Sequence, residues 1–113
     1  MIYEIRNYHF DPTLFDAYKT WAKEEALPFL ERQVDLVGFW VNTDCASEVI
    51  RAPLDDLGSA NVTWIVRWPD RKTRDDAWER ILGGEEWAAI FAKVPGGMES
   101  YRRLELKLTE ALH

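Results

Sequence analysis

One cysteine and two histidines leave this 113-residue chain short of the groups that disulfide and metal chemistry require. Cys45 can form no internal disulfide, and its surroundings, "NTDCASE", read as loop. A lone thiol fits a reducing compartment, so a cytoplasmic location is expected. A zinc centre takes three or four His, Cys or carboxylate ligands. His113 is the terminal residue, which leaves His9 as the one internal imidazole. No metal site and no cofactor are therefore expected, haem included, since only His9 could supply an axial ligand. Positive charge is also scarce: 14 Lys and Arg stand against 20 Asp and Glu, for a net charge of −6. That balance argues against nucleic acid and against an anionic membrane surface as partners. No apolar run approaches the ~18 residues of a membrane span. The N-terminus lacks a basic stretch followed by an apolar one, so no signal peptide is expected. Nucleophile motifs such as G-x-S-x-G and H-E-x-x-H are absent, and Gly83-Gly84 and Gly96-Gly97 lack phosphate-loop context.

What the chain does have is aromatic mass, with six Trp in an aromatic content of 13%. Its length suits one domain, 1–113. "MIYEIRNYHF" alternates as a strand to Phe10. Asp11-Pro12 then marks a helix start, with Asp as N-cap and Pro in the first turn. Leu14, Phe15, Tyr18, Ala22, Leu27 and Leu30 form its apolar stripe, and Pro28 is expected to kink or end it. "LVGFWVNT" is a second strand. Residues 44–60 read as a long hairpin connection with room for a short helical turn. "NVTWIVRWP" is the third strand. A second helix follows, with Thr73 as expected cap, Asp75 and Asp76 in its first turn, and Trp78, Ile81 and Leu82 on its apolar side. Gly83-Gly84 breaks it, "EEWAAIFAKV" resumes it, and "SYRRLELKLT" closes the chain with Leu104, Leu106 and Leu108 on one face.

The order β-α-β-β-α-β is reinforced by a gapless offset of 60 residues. It pairs Ile5 with Ile65, Tyr8 with Trp68, Ala17 with Ala77, Tyr18 with Trp78 and Leu30 with Ile90. Two such halves give an α+β, ferredoxin-like protomer with a four-stranded antiparallel sheet. Strand parity puts Glu4, Arg6 and Tyr8 on one face with Trp64, Val66 and Trp68, the face expected under the helices. Tyr3, Ile5, Asn7 and His9 share the other with Thr63, Ile65 and Arg67. Two helices cover only one face, so Tyr3, Ile5 and Ile65 call for a partner sheet, and a homodimer is expected.

"YEIRNYHF", "LVGFWVNT" and "RDDAWERILGGEEW" together resemble the NIPSNAP family of dimeric α+β barrel proteins. The resemblance rests on Glu4, Arg6 and Tyr8, then Gly38, Phe39 and Trp40, then Arg74 and Glu86-Trp87. It implies a protomer whose sheet packs on another's to close a barrel with helices outside. The stretch from Ala46 to Ser59 departs from the family pattern. Chemistry is implied far more weakly, because this superfamily holds cofactor-free monooxygenases, isomerases and lyases beside many members with no assigned activity.

The candidate site is the E-x-R-x-Y strand. Arg6 is expected to polarise or clamp a ligand oxygen, Tyr8 to donate a hydrogen bond or proton, and Glu4 to orient Arg6. Trp64, Trp68 and Trp40 are the candidate walls and His9 a further candidate. The alternative is structural: a buried ion pair and phenol that satisfy one another, so that removing Arg6 alone strands a carboxylate while removing both costs little. The two readings imply either a small molecule held between sheet and helices, with cofactor-independent chemistry, or a non-enzymatic module whose barrel serves assembly. A cavity of ~300 Å³ or more with Arg6 or Tyr8 on its wall separates them.

Overall fold

The computed structural model describes residues 1–43, 51 and 56–113. Its elements run β1 (Ile2–Phe10), α1 (Phe15–Trp21), α2 (Leu27–Gln33), β2 (Asp35–Val41), β3 (Val62–Trp68), α3 (Arg71–Leu82), α4 (Glu85–Phe91) and β4 (Tyr101–Thr109). The strands form one antiparallel sheet in the order β2-β3-β1-β4, the arrangement expected of a ferredoxin-like α+β fold. Ile5 lies directly opposite Ile65 in the central pair. These residues are equivalent under the 60-residue offset, so the pseudo-twofold passes between them. Most of the connection read as 44–60, Cys45 included, lies outside the described residues.

Asp11 caps the first helical segment as expected, its carboxylate accepting from Thr13 N at 2.9 Å. Pro28 does not end the helix. Helical structure continues from Phe15 to Gln33, and the irregularity is a π-helical turn over Ala22–Ala26 just before the proline. A proline has no N–H to give the carbonyl four residues back, and a widened turn accommodates that loss. The second helix corrects the sequence reading. Asp70, not Thr73, is its N-cap, accepting from Thr73 N at 2.7 Å. Asp75 and Asp76 lie beyond the first turn, paired with Arg71 and Lys72 at i,i+4 spacing. Leu82 is exposed rather than part of the buried stripe of Ala77, Trp78 and Ile81.

The core lies between the helices and the sheet face carrying Tyr8, Phe10, Val62, Trp64, Val66 and Trp68. Trp21 Nε1 ties the two helical layers together by donating to Ile90 O at 2.9 Å. Leu104, Leu106 and Leu108 share this face, opposite Tyr8, Arg6 and Glu4. Leu104 and Leu106 are nevertheless exposed, because β4 is an edge strand. On the reverse face Tyr3, Ile5, Thr63 and Ile65 are only half-buried, and Trp40 is 49% exposed. Among the described residues, no helix is long and apolar enough to cross a membrane.

Candidate functional site

Glu4 is the centre from which the site is built. Its residue is wholly buried, at 0% exposure, in the middle of an apolar face. An isolated carboxylate there would be untenable, and four side chains resolve it. Arg6 Nε donates to Oε2 at 2.7 Å and Arg74 Nε to Oε1 at 2.9 Å. Trp68 Nε1 and Trp78 Nε1 both donate to Oε1, at 3.0 and 2.9 Å. Burial by itself raises the Glu4 pKa. The hydrogen bonds from Arg74 and Trp78 and the charges of Arg6 and Arg74 outweigh it, and the carboxyl sits below its ordinary value. Glu4 is thus an ionised anchor, saturated with donors and shut off from solvent.

Arg6 is held on every side. Its guanidinium lies 4.9 Å from the ring centroids of both Trp64 and Trp78, a cation between two π-faces. Nη1 donates to the Tyr8 hydroxyl oxygen at 3.0 Å. The side chain keeps 20% exposure, so the fork is fixed but reachable. Burial raises the Tyr8 pKa, against the opposing charge and hydrogen bond of Arg6, so the phenol stays protonated at neutral pH. Trp64 Nε1 is close enough to the Tyr8 oxygen to oppose that rise in part. It makes no hydrogen bond of acceptable geometry, however, and is buried without a partner.

Beside this cluster, between sheet and helices, is a cavity of about 610 Å³. Arg6, Tyr8 and Trp64 line its sheet side together with Phe39, and Tyr18, Trp21, Trp78, Trp87 and Phe91 line its helical side. Leu82, Met98 and Leu104 line it as well and are themselves exposed, which places them at its rim. Arg6 is the one charged residue among the described lining residues. Tyr18 and Tyr101 also contribute to the wall, and burial pushes both phenols well up.

Three of the sequence candidates lie elsewhere. Trp68 is in the core holding Glu4 and does not line the cavity. Trp40 is on the reverse face of the sheet, opposite Thr63, while Phe39 takes the inward position and stacks on Trp64 with centroids 5.8 Å apart. The cause is a bulge between Leu36 and Gly38, which inserts one residue and inverts the parity of everything after it. His9 is also on the reverse face, opposite Arg103, and its Nδ1 is buried without a hydrogen-bond partner among the described residues. Among the described residues no group of His, Cys, Asp or Glu is arranged to hold a metal ion.

Sequence reasoning places Trp78 in the apolar stripe of its helix and Arg74 in a family motif, and assigns neither to the site. The 60-residue offset already equated Trp78 with Tyr18, and both line the cavity.

The fold is shared with solved NIPSNAP proteins. An uncharacterized NIPSNAP domain protein from Burkholderia xenovorans superposes with a TM-score of 0.75 at 16% identity, over 98% of this chain and 94% of that one. A NIPSNAP family protein of unknown function from Agrobacterium tumefaciens gives 0.72 at 21% identity, over 96% and 86%. An antibiotic biosynthesis monooxygenase gives 0.58 at 14% identity and covers 100% of both chains. Neither a family model nor a curated protein matches the sequence.

Proposed function

We propose that this chain is a NIPSNAP-like protein that binds a small, largely apolar organic molecule between its sheet and its helices. The observation that carries this reading is the cavity of about 610 Å³, which is ligand-sized, walled by aromatic rings and bordered by one fixed cation. A module serving assembly alone has no use for that space and would fill it with its own tryptophans. Any chemistry would be cofactor-independent, of monooxygenase, isomerase or lyase type, with Arg6 and Tyr8 as the groups able to polarise a ligand oxygen. Glu4 is the positioning residue behind Arg6 and does not itself take a proton from the ligand. We propose further that the protein is a cytoplasmic homodimer joined through the reverse sheet face. The half-buried Tyr3, Ile5 and Ile65 and the exposed Trp40 support that interface.

The test is a fluorescence titration with a neutral, environment-sensitive naphthyl ketone dye. Wild type is compared with Ala88→Trp, which adds bulk to the wall from an exposed position. The expected result is saturable binding by wild type that the variant abolishes. Binding that is absent, or indifferent to the substitution, overturns the proposal.

A further inference from the structure

The hydrogen-bonding capacity of the cavity wall can be counted proton by proton. We infer that the ligand of this cavity is an apolar, ring-bearing molecule ending in an oxyanion, received by Arg6, Tyr8 and Trp64. The inference rests on the reading that the cavity binds a small molecule, and adds what that molecule must carry.

A guanidinium has five N–H bonds and no acceptor. Arg6 commits Nε to Glu4 Oε2 at 2.7 Å and Nη1 to Tyr8 at 3.0 Å, and Nη2 makes an ion-pair contact with the same Oε2 at 2.7 Å. At least one N–H on each terminal nitrogen is left over. Because the Tyr8 oxygen accepts from Arg6, its own proton has to point elsewhere, and it is not committed to a hydrogen bond with any described residue. Trp64 Nε1–H is buried beside the Tyr8 oxygen without a well-formed hydrogen bond to it or to any other described residue. These donors are close together: the Arg6 guanidinium lies over the Trp64 ring at 4.9 Å, and the Tyr8 and Trp64 rings meet edge-on with centroids 6.3 Å apart.

No free anionic acceptor balances them. The one carboxylate nearby, Glu4, is fully buried and occupied by two arginines and two tryptophans. Glu4 neutralises one of the two guanidiniums that hold it. Asp75 lies against the outer side of Arg74, at 2.9 Å, and is shared with Arg71 at 3.0 Å. Two carboxylates thus face three guanidiniums, the cluster keeps one positive charge in excess, and Arg6 is its one charged member on the cavity wall. An ammonium would bring only donors and a second positive charge, and a hydroxyl would bring a further donor along with its acceptor, to a wall that already has donors in excess. A carboxylate or phenolate oxygen brings the missing acceptor and the missing charge, and hydrogen bonds to charged groups are the stronger kind. The rest of the wall is aromatic, which suits a flat ring system as the body.

The experiment measures affinity for matched probes by quenching of tryptophan fluorescence near pH 8. The anions are 2-naphthoate, a carboxylate, and 4-nitrophenolate, a phenolate. Their neutral counterparts are methyl 2-naphthoate and 4-nitroanisole. Wild type is expected to prefer at least one anion over its counterpart by about tenfold or more, and the preferred pair identifies the source of the oxyanion. Arg6→Met should abolish the preference, and Tyr8→Phe and Trp64→Phe should each reduce it severalfold, read as the ratio of anion to neutral-counterpart affinity within each variant. The two phenylalanine variants keep the test decisive should Arg6→Met fail to fold. Equal affinity for anions and neutral counterparts in wild type overturns the inference and leaves the cavity proposal standing. Saturable binding of neither kind overturns the cavity proposal itself.

Discussion

Trp78 Nε1 donates to Glu4 Oε1 across 2.9 Å, from a residue 74 positions later in the chain. That bond joins the first strand to the second helix beneath the cavity. It also has a consequence for the arginines: Glu4 never depends on Arg6 alone. Arg74, Trp68 and Trp78 hold the carboxylate from the other side, and Arg6 is the one charged member of the set that also faces the cavity.

The acid limb of the stability profile should report Glu4. Its pKa is lowered in the folded state from the ordinary 4.5. The folded protein therefore binds fewer protons than the unfolded chain in that range, and stability rises with pH there. The contribution is complete above about pH 4.5 and is lost as the pH falls through the folded value. Urea unfolding from pH 3 to 7 should show this loss in wild type. In Glu4→Gln the slope should be shallower, the remainder coming from Asp11, Asp70 and Asp75, whose carboxyls also sit below their ordinary values, and the variant should be less stable by about 3–5 kcal/mol at neutral pH. An unchanged slope would mean that another carboxyl controls the acid limb.

Removing either arginine alone should be survivable. The sequence reading expects Arg6→Met to strand Glu4 and the loss of both partners to be mild. With Arg74 and two indoles on the same carboxylate, the order reverses. Arg6→Met and Arg74→Met should each cost about 1.5–3 kcal/mol, the usual scale of a hydrogen bond to a charged group. Losing both arginines leaves the carboxylate to two neutral donors and should cost more than the sum. Replacing Glu4 together with Arg6 is no remedy, because Arg74, Trp68 and Trp78 then lose their common acceptor. Chemical denaturation of the two single variants and the double variant gives the coupling directly.

Much of this was legible from periodicity. Glu4, Arg6 and Tyr8 belong to one face by strand parity, and the 60-residue offset reinforces the β-α-β-β-α-β order and equates Ile5 with Ile65, which the structure sets opposite each other. The convergence on Glu4 was not, because Trp68, Arg74 and Trp78 reach it through the twist of a sheet and the angle of a helix, which parity does not encode. Trp40 failed for a different reason. One bulged residue before Gly38 exchanges the inside and outside of a strand, and "LVGFW" reads equally well in either phase. Gly38 itself was a signal. A side chain there would run into the Trp40 ring, which lies back over the glycine on the outer face.

The alkaline limb should report Tyr8 and its neighbours. Burial raises the pKa of Tyr8, Tyr18 and Tyr101 above the ordinary value of 10. A raised folded-state pKa contributes stability that is full below pH 10 and is lost as the pH climbs toward the folded value. Absorbance at 295 nm should therefore show wild type and Tyr8→Phe titrating alike up to about pH 10. Above it, Tyr8→Phe should lose stability less steeply than wild type. A phenolate signal from Tyr8 at neutral pH would contradict a donor role at the cavity.

The reverse face of the sheet sets the last expectation. Trp40 lies over Gly38 on the side away from the helices, at 49% exposure, and Tyr3, Ile5 and Ile65 continue the apolar surface inward. A partner sheet laid on this surface would bury the indole, and an obligate interface of this type removes about 2,000 Å² or more from water in total. Light scattering at micromolar concentration should give twice the 13.2 kDa chain mass. Trp40→Glu puts a charge where the two sheets would meet and should shift the protein toward monomer. Gly38→Val should act in the same direction by lifting the ring off the strand. Neither variant alters the Glu4 cluster on the opposite face, so the acid stability slope should keep its sign in both. A wild-type monomer under these conditions would remove the barrel, and a dimer indifferent to Trp40→Glu would place the interface elsewhere on the molecule.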